Sequence, residues 1–133
     1  MRKIWAVLTG VLSGSVVMII VETLGHKIYP VAMNLETITK EAKAEYMKNI
    51  PVEAMLMILL AWAVGSFVAG IVATLINKDH TSFAALRSGA ILLAMAIVNM
   101  LMIPHPIWFW IAGLLIFIPL SWLGFKLIHQ KTV

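Results

Sequence analysis

Glu22 and His26 stand four residues apart at the close of the first long apolar run, so on a helix both side chains fall on one face. Glu22 is the one acid with an extended hydrophobic run directly before it and no solubilising cluster beside it. Glu53, Asn99 and His105 are the other polar residues set at or inside the borders of apolar runs. Two carboxylates and two imidazoles are donor types that suit Zn²⁺, Mn²⁺ or Fe²⁺. The same groups can pass a proton or neutralise a cationic solute. An ionisable residue within a membrane span is costly enough to count as a functional candidate by default.

Each candidate also has a plainer explanation. Glu22 can snorkel to water from about one turn below the interface. His26, between Gly25 and Lys27, also fits an ordinary interfacial histidine, and Glu53 sits in a first helical turn, where the helix dipole favours any acid. His105 lies between Pro104 and Pro106, a stiffness that suits a ligand and equally an exposed loop. Asn99 can hydrogen-bond across helices, worth around 0.6–2 kcal/mol. It is their common end of the molecule, argued below, that makes them one candidate site.

Methionine supplies a second constellation: Met18, Met33, Met47, Met55, Met57, Met95, Met100 and Met102. Thioethers select Cu(I). Met55/Met57 and Met100/Met102 are two residues apart, however, about 200° around a helix, so neither pair shares a face. Core filling accounts for them more simply. With no cysteine in the chain, disulfides and thiolate chemistry are excluded. Walker, nucleophile-elbow, dinucleotide and His-Glu-x-x-His signatures are missing, so an enzyme is disfavoured and no cofactor is implied.

The elements that hold these residues follow from composition. Of 133 residues, 62% are hydrophobic and 12% charged, against about 25% charged in soluble domains, so lipid must solvate most of the surface. The net charge of +4 is scattered at the ends of apolar runs, which fits topology signals and lipid headgroups and not nucleic acid. The spacing predicts a single transmembrane domain of four helices over about residues 4–26, 52–76, 83–103 and 107–128. The first run is too long for a signal-peptide core and lacks an Ala-x-Ala site, so it reads as a retained span. Pro30 should end the first helix, Pro51 should open the second, Thr81 or Ser82 should cap the third and Pro119 should kink the fourth.

Between the first two spans, residues 27–50 form the polar segment. Leu35, Ile38, Ala42 and Tyr46 recur at helical spacing after Asn34, a suitable N-cap, with charged residues on the other face. This predicts an amphipathic helix lying on the membrane surface. Arg2, Lys3, Lys78, Arg87, Lys126 and Lys131 fall on one side of the four spans and the Pro104-His105-Pro106 turn has no basic residue. That bias predicts both termini in the cytoplasm, in the plasma membrane, with residues 27–51 outside. Glu22, His26, Glu53 and His105 then all belong to helix ends at the outer surface, with Asn99 a little over one turn deeper.

Gly10 and Gly14, and the stripe Ala61, Gly65, Ala69 and Ala73, predict faces for close helix packing. These faces suit each other, a second copy of the chain or a partner membrane protein. A bundle of four short helices with one acid in the first resembles the small multidrug resistance exporters. In that family the acid lies near the middle of the first helix and the loops are minimal. Here Glu22 lies near the outer end and a charged segment follows, so the likeness stops there. Two functions suit the sequence: a carrier or binding protein for a cation or small cationic solute, with Glu22 compensating the charge, or an accessory scaffold subunit whose polar residues only anchor helix ends. A metal-dependent enzyme would need several of these side chains on one ion.

Overall fold

A computed structural model describes residues 1–29, 39–78 and 81–132. Among them five helices follow one another: α1 (Arg2–Ile28), α2 (Lys40–Lys48), α3 (Val52–Asn77), α4 (Phe83–Met102) and α5 (Ile107–Thr132). Four of these, α1, α3, α4 and α5, are long and apolar enough to cross a membrane. Twenty residues already extend about 30 Å as a helix, the thickness of a bilayer's hydrocarbon. The chain is thus an all-α, multi-pass membrane protein by the length and composition of its helices.

The expected stops lie where the backbone chemistry puts them. α1 ends at Ile28, and Tyr29, the residue before Pro30, has left helical geometry at φ −124°, ψ 81°. Pro51 is the N-cap of α3 and Ser82 that of α4, although the Ser82 hydroxyl makes no capping bond. Lys78 closes α3 in a left-handed conformation (φ 58°), and its N–H reaches the Thr74 carbonyl. α5 runs unbroken through Pro119 and four residues past its expected end. Of the surface segment, the described part is helical over Lys40–Lys48. α2 begins at Lys40, capped by the Thr39 hydroxyl, which accepts the Ala42 N–H at 3.2 Å. Asn34, Leu35 and Ile38, on which the longer expectation rested, lie outside the described residues, as do Met33, Asp79 and His80.

α3 is the axis of the bundle. It packs against α1, α4 and α5, and 44% of its apolar window is buried, against 22% for α1 and for α5. α1 and α3 run antiparallel, with Gly10 beside Ala69 and Ala73, Gly14 beside Gly65, and Gly25 beside Met57. A Cβ on Gly14 would stand 2.7 Å from the Gly65 carbonyl oxygen and 2.9 Å from the Ala69 Cβ. Both small-residue stripes are therefore used within the chain, each against the other. α3 and α5 run parallel, the Gly70 backbone lying against that of Ser121. Trp62, Leu92, Met100, Phe109 and Phe117 fill the space between α3, α4 and α5.

Hydroxyls inside the spans are satisfied locally. Ser66 donates to the Trp62 carbonyl (2.7 Å), Thr74 to Gly70 (2.6 Å) and Ser121 to Ile118 (3.0 Å). Ser88 donates to Ala84 in its own helix and also lies 3.3 Å from the Val7 carbonyl of α1, tying α4 to α1.

The α1–α3 contact yields a paired expectation. Gly14→Ala drives a methyl into fixed backbone and should destabilise the protein by about 1–3 kcal/mol. Gly25→Ala meets only the Met57 side chain at 3.4 Å or more and gains helix propensity, so it should be neutral or stabilising by up to about 1 kcal/mol. Thermal unfolding of both variants in one detergent checks this; equal effects would show that α1 does not depend on its close approach at Gly14.

Candidate functional site

From Gly14, steps of four along α1 reach Met18 and then Glu22, each drifting about 40° around the helix. Glu22 thereby comes to the flank of the face that packs on α3. There the indole N–H of Trp62 donates to Glu22 Oε1 at 3.2 Å. Trp62 is 5% exposed and wedged between Phe109 (ring centroids 5.2 Å apart, edge-on) and Phe117 (5.5 Å). A ring so held cannot swing away without disturbing the core, so its N–H is a fixed donor aimed at the carboxylate. Glu22 turns into the bundle and does not snorkel outward.

Glu22 lines two cavities. One, of about 210 Å³, is a lateral cleft between α1 and α4, floored by Trp62 and Phe117 and walled by Met18, Leu92 and Met95, with Ser15 and Asn99 as its other polar residues. The second, of about 250 Å³, lies at the end of the bundle where α1 stops and α3 starts, between His26, Tyr29, Ile50, Pro51 and Met57.

The five expected residues are thus divided. Asn99 shares the cleft with Glu22, and His26 shares the end cavity with it. Glu53 is exposed in the first turn of α3 and lines neither cavity, as an acid placed for the helix dipole would. His105 lines a third cavity of about 430 Å³ with Lys48, Val52, Met55 and Trp108. Among the described residues no three His, Asp or Glu side chains gather to hold a metal ion, so Glu22, His26, Glu53 and His105 do not form one ligand set. Of the described methionines, Met55 and Met100 are core residues, whereas Met95 and Met102 are exposed.

Trp62 is the residue that sequence reading missed. Its signal was present in principle, since an indole N–H deep in an apolar helix needs an acceptor and Glu22 is the one acid within a neighbouring span. Ser15 also lines the cleft, one turn from Met18 and Ile19.

His105 is set by a different physics. Its ring stacks on Phe109 with centroids 4.4 Å apart, and its Nδ1 is buried without a partner in hydrogen-bonding geometry. Burial lowers its pKa below the ordinary histidine value, more than the nearby Ile103 and Met100 backbone raises it. A histidine held neutral in the fold contributes stability that is complete above its unfolded pKa, near 6.5, and is lost as pH falls towards the lower folded value. Unfolding temperature should therefore drop as pH falls below about 6.5, and His105→Phe, which keeps the stack, should flatten that slope. Parallel profiles for the two proteins would remove His105 as the cause. Compared with known protein families, with curated proteins and with solved structures, the chain matches none.

Proposed function

We propose that this membrane protein binds and carries a monovalent cation or small cationic solute, with Glu22 as the charge-compensating group. The observation that supports this most directly is the Trp62–Glu22 pair, whose carboxylate residue lines two cavities. A carboxylate inside a span is expensive to maintain, and evolution has a cheaper residue at every such position if only packing is needed. Glutamine would accept the same indole N–H without a charge. What the carboxylate adds is a negative charge in a site of low dielectric, where a cation is worth more than in water.

Each neighbour has a role in this reading. Trp62 holds the carboxylate in place with a neutral donor, which fixes it without cancelling its charge. A carboxylate accepts at both oxygens, so one indole does not saturate it. Asn99 offers a polar contact across the cleft, and His26 stands in the end cavity through which a solute would come or go. One carboxylate balances one positive charge, which favours a monovalent ion over a divalent metal.

The test is binding of Na⁺, K⁺, guanidinium and tetramethylammonium, measured by calorimetry on protein in lipid nanodiscs. Glu22→Gln should weaken whichever ion binds by roughly ten- to a hundred-fold, the loss of one charge-assisted contact of about 1.5–3 kcal/mol. Glu22→Asp should retain part of the affinity. If wild type and Glu22→Gln bind every ion alike, or neither binds any, the carrier reading fails and the role of an accessory subunit takes its place.

A further inference from the structure

The cleft around Glu22 carries information about what the cation must be. Its walls are hydrocarbon and thioether: Met18, Ile19, Leu92, Met95 and the Phe117 ring, with the Trp62 ring as floor. Ile19 and Met95, at its rim, are 63% and 53% exposed on the flank of two membrane-spanning helices. Such a rim faces the bilayer and not water. A hydrated inorganic ion gains nothing from these walls and would have to shed its water for one carboxylate, the Ser15 hydroxyl and the Asn99 amide. An ammonium group carrying an apolar tail would satisfy both parts of the site, its charge at Glu22 and its hydrocarbon along the cleft. The volume of about 210 Å³ lies below the 300–1,000 Å³ of sites for drug-sized ligands, so the tail must be short.

We infer that the cation taken at Glu22 is a small amphiphilic organic ammonium ion whose apolar part lies in the lateral cleft between α1 and α4. This rests on the proposal that Glu22 binds a cation, and it adds the substrate class and the position of its tail. The aromatic floor contributes a further attraction for a weakly hydrated ammonium head. Lipid-facing entry at the α1–α4 seam suits such a solute, because an amphiphile is concentrated at the bilayer before it reaches the protein.

The experiment uses alkyltrimethylammonium ions with methyl, ethyl, propyl and butyl tails, bound to the full-length protein in nanodiscs. The same titration on Glu22→Gln measures partition into lipid and is subtracted. Affinity should rise roughly three- to four-fold for each CH₂ buried, and the rise should stop once the tail outgrows the cleft. Met95→Trp, a substitution that fills the cleft from its rim, should abolish the chain-length trend, so that the four ions bind with one affinity. Asn99→Ala serves as a second cleft variant should Met95→Trp fail to fold, and it should weaken all four ions without altering the trend. Binding that depends on Glu22 but is indifferent to tail length and to Met95→Trp would overturn the substrate class and leave the Glu22 reading standing. Binding that increases with tail length equally in wild type and Glu22→Gln is lipid partition, and would overturn both.

Discussion

The close approach of α1 to α3 is the constraint on which the rest of the structure depends. Gly10 and Gly14 on one helix and Gly65, Ala69 and Ala73 on the other let two backbones come within reach of each other's carbonyls. In a bilayer this replaces the hydrophobic effect, since lipid tails are as apolar as any side chain and helices associate through packing. The same contact fixes the axial register of the two helices. Glu22 lies eight residues beyond Gly14 and Trp62 three residues before Gly65, and in antiparallel register those offsets bring carboxylate and indole together. A slip of one turn, about 5.4 Å, would part them. The packing stripe and the polar pair are therefore one device.

The choice of tryptophan as the partner of Glu22 has a physical logic. A lysine or arginine would neutralise the acid permanently and, in a low-dielectric setting, hold it too tightly to exchange. A serine could turn its hydroxyl to its own helix, as Ser66 and Thr74 do. An indole has one donor and no acceptor, and its ring is fixed by neighbours on both sides. It can only point its N–H at the carboxylate.

Much of this was legible in the sequence, and the reasons for the remainder are specific. Long apolar runs bounded by prolines and polar turns place spans with little ambiguity, because the bilayer demands about 20 residues and Pro51 and Pro104 punctuate them. The small-residue stripes were likewise visible, and so was Glu22. What periodicity cannot give is which flank of a helix meets which neighbour. Hence Glu53 and His105, expected at the same end of the molecule, line neither of the cavities that Glu22 lines, whereas Trp62 reaches it from 40 residues away in the chain. Sharing a depth is a one-dimensional statement, and a binding site needs the other two dimensions. The surface helix shows a similar limit: Asn34 and Thr39 both qualify as caps by type, and in the structure Thr39 caps α2.

The seam between α1 and α4 shows how packing and function divide one interface. Towards the chain termini it is closed, with the Ser88 hydroxyl on the Val7 carbonyl and beside Gly10. Two turns further on, bulky flexible side chains replace small ones, and Met18 and Met95 hold the helices apart around the cleft. Glycine and serine bring backbones together, while methionine keeps a gap without making it rigid. The carboxylate sits where the seam has opened, next to a second cavity at the end of the bundle. Glu22 thus lines a cleft on the α1–α4 flank and a cavity at that end, while nearer the termini α1 and α4 touch through Ser88 and Val7. A carrier that releases its solute towards the termini must loosen the α1–α4 packing there, the Ser88–Val7 hydrogen bond together with the buried Ala6, Val7 and Ala84 around it, and not the Gly14–Gly65 approach that holds Glu22 in register.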